Sequence, residues 1–368
     1  MDGNGSERFE TVIVGGGQAG LAVGYHLARR GRPFVILDAN ERIGDSWRTR
    51  WDSLHLFTPA LGDGLPGWRF PAPRWSFPSK DDMADYLEAY AARFDLPVRI
   101  GVGVRGLTRE GGRFVLDTGH RRMEADRVVV ATGANRIPKV PPLASELDPS
   151  IVQLHSSEYL RPSQLRDGEV LVVGVGNSGA EISLELSATR RTFLAGKESG
   201  QIPVRHGTVR SRLFFRVMRF AGNHVLTRGT PIGRKVGPKL AHEATPLIRV
   251  RAKDLAAAGV ERVPRVVSVR GGMPLLDDGR VLEVPNVIWC TGHRTDFGWI
   301  DLPIFGQDGQ PVHDRGVVGS EPGLYLVGQV FQYAITSDVL PGVGRDAEYV
   351  AKHIASTVRE MGAPVGSP

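Results

Sequence analysis

The sequence predicts an α/β protein with two Rossmann-like domains, the second inserted into the first, and three observations predict this fold. An apolar run ends in a glycine-rich turn of the form GxGxxG twice, at residues 15–20 and again at residues 174–179. Each turn opens a stretch rich in Ala, Leu and Ser, as expected of a helix that follows a strand. A further buried strand at residues 323–328 indicates that the first domain resumes near the end of this 368-residue chain.

The first glycine turn has the residues that a dinucleotide site requires. Gly15 permits the tight turn, Gly17 lets the backbone approach a pyrophosphate, and Gly20 lets the helix pack closely on the strand. The helix N-terminus offers N–H groups and a positive dipole to phosphates. Asp38 follows the next apolar run and is placed to accept hydrogen bonds from ribose hydroxyls. We therefore predict a dinucleotide site at Gly15, Gly17, Gln18, Ala19, Gly20 and Asp38.

The chain up to residue 145 completes this first part. A capping box at residues 79–82 predicts a helix that ends before Pro97. Three strands follow, at residues 98–107, 112–119 and 125–133. The last strand ends at Thr132 and Gly133, where ligands lie in open parallel sheets. The proline-rich run IPKVPP then marks a domain boundary near residue 140.

The second glycine turn predicts a second nucleotide site. Its strand and turn read EVLVVGVGNSGAE, and a helix to about residue 189 and a strand at residues 192–195 follow. A base near the end of that strand suits a 2′-phosphate, whereas an acid suits a free 2′-hydroxyl. Arg191 and Lys197 therefore favour NADPH over NADH at the second glycine turn. Asp38 favours FAD at the first glycine turn. The predicted NADPH residues are Gly174, Gly176, Asn177, Ser178, Gly179, Arg191 and Lys197.

Composition excludes several classes of protein. The one cysteine, Cys290, excludes an internal disulfide and a CxxC redox pair, and so excludes the disulfide reductases. No apolar run reaches the roughly 18 residues of a membrane helix, and no apolar signal peptide precedes the first strand, so we expect a cytoplasmic protein without integral membrane association. The net charge of +6 suits anionic phosphates, but no nucleic-acid motif is present. We predict no metal site.

A basic segment at residues 202–240 leaves alternatives open. Arg212, Arg216 and Arg219 share one face of a predicted helix, and Leu213, Val217 and Phe220 share another. Such a helix can lie on a membrane surface, cover an apolar substrate as a lid, or pack on the domain. We favour a lid or a packed surface helix, and we expect substrate specificity to reside here.

Several segments together resemble the class B flavin-dependent monooxygenases, in particular bacterial oxidoreductases similar to flavin-containing monooxygenases and the plant YUCCA enzymes. These segments are QLHSSEYLRP at 153–162, VLVVGVGNSGAEIS at 170–183, GLYLVGQ at 323–329 and LPGVGRDAEYVAKHI at 340–354. His155 and Tyr159 match the family fingerprint before the second glycine turn. Pro149 and Ile151 stand where that fingerprint has Phe and Gly.

The resemblance implies a division of the chain. Residues 1–145 and 286–368 would form the FAD domain, and residues 146–285 the NADPH domain, with a substrate-side insert near 202–240. Ser46, Trp47 and Arg48 would lie near the flavin, and Val104 would touch the adenine side through its backbone. His155 would organise contacts between domains rather than carry a proton. The remaining cofactor residues on the FAD side would be Thr132, Gly133 and Gly328.

The resemblance also implies an activity. The protein would be an FAD- and NADPH-dependent monooxygenase that forms a peroxyflavin with dioxygen and oxygenates a small organic substrate, by N- or S-oxygenation or by attack on a carbonyl. The alternative is an FAD-dependent NADPH oxidase or reductase without oxygen insertion. A non-enzymatic nucleotide sensor is disfavoured because both glycine turns are intact. No catalytic base is identified, and a homodimer is a further expectation.

Overall fold

The computed structural model describes residues 7–134, 137–197, 200–242 and 246–362. Its first sheet contains β1 (Glu7–Val14), β2 (Val35–Leu37), β3 (Val98–Arg99), β4 (Gly106–Glu110), β5 (Arg113–Asp117), β6 (Arg122–Val130) and β16 (Leu324–Leu326). The strand order is β3-β2-β1-β6-β5-β4, and β16 pairs with β6 beyond the end of β5. β1, β2, β3, β6 and β16 pair in parallel, whereas β5 runs antiparallel to both of its neighbours, β6 and β4.

The second sheet is wholly parallel. Its strands are β8 (Val152–His155), β9 (Val170–Val173), β10 (Thr192–Ala195), β11 (Glu261–Val263) and β14 (Asn286–Trp289), in the order β11-β10-β9-β14-β8. The sequence assigned residues 286–289 to the returning first domain, but β14 lies between β9 and β8 of the second sheet. This is a correction: the chain leaves the second sheet only after Trp289, because sequence shows an apolar strand but not its partner.

Two short antiparallel pairs complete the strands. One is the hairpin of β12 (Val266–Arg270) with β13 (Met273–Leu276). The other pairs β7 (Ile137–Pro138) with β15 (His293–Arg294), so the outgoing and returning connections between the sheets run side by side. The Lys139 N–H donates to the Gly292 carbonyl at 2.9 Å and reinforces this double connection.

Helices cover the sheets in the way that the alternation of strand side chains requires. They are α1 (Gln18–Ala28), α2 (Asp45–Arg48), α3 (Lys80–Arg93), α4 (Asn177–Ser187), α5 (Val209–Phe220), α6 (Pro231–His242), α7 (Ala252–Ala257) and α8 (Leu340–Gly362). Ile13 and Val129 face one side of the first sheet, in a core with the helices α1, α3 and α8. Val12 and Val128 face the other side, where residues 297–304 cover them.

Of two local predictions from the sequence, one is confirmed and one is wrong. The capping box is confirmed: Ser79 accepts from the Asp82 N–H, and the Asp82 carboxylate accepts from the Ser79 N–H. The predicted strand at 98–107 is broken, because residues 100–105 lie between β3 and β4 and Gly101 has a φ of +68°. None of the helices in the described ranges combines the length and apolar character that crossing a membrane requires.

A buried carboxyl lies in the long loop between α2 and α3. Asp63 is fully buried and accepts a hydrogen bond from the Thr58 hydroxyl at Oδ1, while Oδ2 has no partner among the described residues. Burial raises its pKa from 3.8 to about 7, and the Thr58 hydrogen bond opposes this only in part.

We predict that Asp63 makes the free energy of unfolding fall as pH rises from about 4 to about 7, because the unfolded chain releases this proton first. Asp63→Asn keeps the shape and the acceptor for Thr58. At pH 8 the variant should therefore melt at a higher temperature than the wild type. Its free energy of unfolding should be higher by about 1.4 kcal/mol for each pH unit between the folded and unfolded pKa values of Asp63. This difference should shrink towards pH 4, and a difference that does not change with pH contradicts the prediction.

Candidate functional site

A cavity of about 510 Å³ lies between the carboxyl ends of the first sheet's strands and the start of α4. This position is the one where open α/β sheets bind ligands. The N-terminus of α8 also lines it, at Leu340, Pro341 and Val343. The predicted residues that line it are Gly15, Gly17, Gln18, Ala19, Asp38, Ser46, Trp47, Val104, Thr132, Gly133, Asn177, Ser178 and Gly328.

The first glycine turn has the geometry that its sequence predicts. Gly15 has a φ of +113°, which favours glycine, and its N–H donates to the Leu37 carbonyl at 2.7 Å. A Cβ on Gly20 would lie 1.9 Å from the Gly15 carbonyl oxygen, so the helix and the turn are in backbone contact there. A Cβ on Gly17 would meet nothing within 4 Å, because this residue borders the open cavity.

Asp38 both shapes the turn and borders the cavity. It is buried, and its Oδ2 accepts from the Gly16 N–H at 2.5 Å. Its Oδ1 accepts from the backbone and side-chain N–H groups of Asn40 at 2.8 and 2.7 Å. Since an ionised carboxylate offers about four acceptor positions, Asp38 keeps capacity for a hydroxyl in the cavity.

The second glycine turn repeats the first turn almost contact for contact. Gly174 has a φ of +116°, and a Cβ on Gly179 would lie 1.9 Å from the Gly174 carbonyl oxygen. Gly176, like Gly17, has open space where a Cβ would be. Asn177 uses its amide in the fold, since Oδ1 accepts from the Ile248 N–H at 2.9 Å and Nδ2 donates to the Pro246 carbonyl at 3.1 Å. It therefore presents its backbone to a ligand.

The two candidate cations for a 2′-phosphate lie at opposite ends of β10. Lys197 is exposed and follows the carboxyl end of β10, directly after Gly196, which occupies the place that Asp38 has after β2. Arg191 precedes β10, and its guanidinium donates to Glu169 and Glu261 at 2.9 Å each. This corrects the prediction for Arg191, because the amino end of the strand is remote from the glycine turn.

Of the three predicted residues around Trp47, two line the cavity and one does not. Ser46 and Trp47 line the cavity, as the resemblance implied for residues near the flavin. Arg48 turns away from it: its Nη1 donates to the Ile43 carbonyl at 2.6 Å, and its Nη2 donates to Asp85 at 2.8 Å. Arg48 therefore fastens α2 to α3, which corrects its assignment to the cofactor.

Arg50 is a cation of the cavity wall that the sequence analysis missed. It is half-buried, and Nε donates to the Ser46 carbonyl at 3.3 Å. Among the described residues, no carboxylate forms an ion pair with it. Burial lowers the pKa of its guanidinium, which remains charged at neutral pH. The run WRTRW contains no signal that separates Arg50 from its neighbours.

Two carboxyls of the cavity wall were also missed. Burial raises the pKa of Glu181 on α4 to about 7, although Arg249 donates to it at 3.2 Å and opposes the shift. Burial raises the pKa of Asp338, just before α8, to about 6. Both side chains therefore hold less negative charge than ordinary acids near neutral pH, which favours an anionic ligand in this cavity.

His155 lies at the junction of the sheets and does not line the cavity. Its Nε2 is 3.0 Å from the Gly292 carbonyl, which only accepts, so Nε2 carries the proton. Its Nδ1 accepts from the Ser157 N–H at 3.2 Å, so the ring is neutral. Burial lowers its pKa, which fits this state. The contacts suit an organiser of the double connection between the sheets.

Comparison with known proteins identifies the family of this chain. A family model described as pyridine nucleotide-disulphide oxidoreductase matches residues 12–201. The "uncharacterized oxidoreductase CzcO-like" of Geobacillus kaustophilus is 38% identical, over 94% of this chain and 98% of the relative. The "probable indole-3-pyruvate monooxygenase YUCCA3" of Arabidopsis thaliana is 32% identical, over 95% and 87%. The solved flavin-containing monooxygenase from Stenotrophomonas maltophilia has a TM-score of 0.76 and 27% identity, over 96% and 99%.

The single cysteine separates this chain from the disulphide chemistry in the family's name. Cys290 is fixed against the second glycine turn, where its carbonyl oxygen would lie 2.2 Å from a Cβ on Gly174. Burial raises the pKa of its thiol to about 12, so it is not a reactive thiolate near neutral pH.

The chain belongs to the pyridine nucleotide-disulphide oxidoreductase family and, within it, to the class B flavin-dependent monooxygenases, enzymes whose cofactors are FAD and NADPH.

Proposed function

We propose that this flavin-dependent monooxygenase transfers one oxygen atom of dioxygen to a small organic substrate, at an amine nitrogen, a sulfide sulfur or a carbonyl carbon. The observation that carries the proposal is that both glycine turns border one cavity, Gly17 from the first turn and Ser178 from the second. Two cofactors held at these turns would meet inside it. The first sheet, with α8, would be the FAD unit and the second sheet the NADPH unit.

The residues of the first turn fit FAD. The open space at Gly17 would let the pyrophosphate approach the N-terminus of α1, and Asp38 would accept a hydrogen bond from the ribose. Trp47, Thr132 and Gly133 border the part of the cavity where the flavin ring would lie. The N-terminus of α8 borders the same space, and its dipole would stabilise negative charge on the reduced flavin. When bound, FAD supplies the transfer of electrons from NADPH to dioxygen. Gly15, Gln18, Ala19, Gly20, Val104 and Gly328 complete this set.

The residues of the second turn fit NADPH. The open space at Gly176 and the N-terminus of α4 suit the pyrophosphate, and Lys197 suits the 2′-phosphate. Arg50 lines the same cavity and would supply a positive charge to the anionic cofactor or to an anionic substrate. The residues of the protein would therefore bind and orient the cofactors and the substrate, and they would exclude water from the cavity.

The test is the fate of labelled oxygen. The reduced holoenzyme, given NADPH and ¹⁸O₂, is screened against tertiary amines, sulfides, ketones and 2-oxo acids. One ¹⁸O atom in a product, with NADPH consumed in proportion to that product, supports a monooxygenase. Hydrogen peroxide formed in proportion to NADPH with every compound supports the alternative, an oxidase. A cytoplasmic location and a homodimer stay predictions of the sequence.

Gly17 and Gly20 form a matched pair for the FAD assignment. Gly17→Leu should yield folded protein without flavin absorbance, because the new side chain fills the approach of the pyrophosphate. Gly20→Ala should lower the melting temperature of the apoprotein, since a Cβ at 1.9 Å from the Gly15 carbonyl oxygen forces the backbone to shift at a cost of about 3 kcal/mol, which exceeds the gain of about 1 kcal/mol in helix propensity. Full FAD occupancy in Gly17→Leu would refute the first-site assignment.

Lys197 and Arg191 form a matched pair for the 2′-phosphate. Lys197→Ala should raise the KM for NADPH about ten-fold and leave the KM for NADH nearly unchanged, because only NADPH carries the charge that Lys197 would contact. Arg191→Ala should leave the ratio of the two KM values unchanged, since this guanidinium is paired with Glu169 and Glu261. Equal effects of Lys197→Ala on both nucleotides would exclude its role.

A further inference from the structure

Helix α5 turns an apolar stripe outward. The stripe consists of Val209, Leu213, Val217 and Phe220, whose exposed fractions are 75%, 67%, 56% and 63%. Ser211, on the opposite side of the helix, is 1% exposed, so the polar serine faces the protein and the apolar stripe faces away. Isolated exposed apolar residues are ordinary, but four on one face of a 12-residue helix form a surface.

Arginines border this stripe on both edges. With about 100° of rotation per residue, the stripe covers roughly 80° of the helix surface. Arg210 lies at one edge of it, and Arg212, Arg216 and Arg219 lie at the other. The guanidinium groups of Arg212 and Arg216 lie over the Trp75 ring, at 5.6 and 5.2 Å from its centroid, which orients them along the edge of the stripe.

The charge around α5 is one-sided. Residues 199–242 contain nine Lys and Arg and no Asp or Glu. The rest of the chain has 37 Lys and Arg against 40 Asp and Glu, so this segment accounts for the whole net positive charge of +6. Within the described part of the chain, none of the four α5 arginines forms an ion pair with a carboxylate. Their charges are available to an external anion.

We propose that α5 is a docking surface for an anionic phospholipid bilayer, with the helix parallel to the membrane plane. The apolar stripe would enter the boundary between headgroups and acyl chains, and the flanking arginines would contact phosphates, as in other interfacial helices. A second copy of this chain fits the surface poorly, because a symmetric contact would oppose arginines to arginines without an acid. The stripe also faces away from the protein, which does not suit a lid.

Docking would hold the main cavity beside the bilayer. Phe215, Arg216 and Arg219 of α5 line a small cavity of about 40 Å³, together with Thr58 and Pro341. Thr58 and Pro341 also line the main cavity, so one wall separates the two. An apolar substrate dissolved in the membrane would therefore meet the enzyme on this side.

Vesicle co-sedimentation of the purified holoenzyme tests the proposal. We expect binding to equimolar phosphatidylglycerol and phosphatidylcholine vesicles, much weaker binding to pure phosphatidylcholine vesicles, and loss of binding at high salt. Leu213→Glu with Phe220→Glu should reduce the binding at least about ten-fold. Arg210→Gln and Arg219→Gln should each reduce it about five-fold.

Val312→Glu is the matched control, because Val312 is 62% exposed but lies outside the basic segment, and it should bind vesicles like the wild type. Flavin absorbance and melting temperature show that each variant is folded. If the wild-type protein does not bind vesicles that contain phosphatidylglycerol, the proposal is overturned, whatever the results for the variants. So does binding that survives Leu213→Glu with Phe220→Glu. A dimer that dissociates on Leu213→Glu, without vesicle binding, would assign the face to self-association instead.

Discussion

The contact of a helix backbone with the glycine turn before it is the constraint on which both candidate nucleotide sites depend. Gly20 approaches the Gly15 carbonyl so closely that a Cβ would lie 1.9 Å away, and Gly179 approaches Gly174 in the same way. This contact brings the helix N-terminus over the end of the central strand, where its free N–H groups meet the cavity. A side chain at either position would move the helix and with it the ligand site.

The cavity wall combines groups whose charge depends on burial. Arg50 keeps its positive charge in a half-buried place, whereas Glu181 and Asp338 have raised pKa values and lose part of their negative charge near neutral pH. This balance of charge would favour anions such as dinucleotide phosphates. His155 lies outside the cavity. Its neutral ring is hydrogen-bonded to Gly292 and Ser157 at the connections between the sheets. The residues proposed to attract the cofactors are therefore different from those that hold the two sheets together.

The basic segment adds a surface that the cofactor sites do not use. Arg212 and Arg216 pack on Trp75 of the long loop between α2 and α3, and the same loop buries Asp63 and lines the cavity through Thr58. The outward stripe of α5 and the inner cavity therefore share one supporting loop. This arrangement couples the place where the enzyme would dock to the place where a substrate would react.

The sequence alone determined the local features: both glycine turns, the acid at residue 38, the capping box of α3 and the apolar strands, because these depend on spacing within a few residues. Tertiary structure decided which strand joins which sheet, as β14 shows, since parallel partners are distant in sequence. It also decided that Arg191 and Arg48 face carboxylates rather than a ligand, and that the apolar face of α5 points outward. The direction of a side chain depends on what packs behind it, and periodicity marks the face of a helix without showing what that face meets.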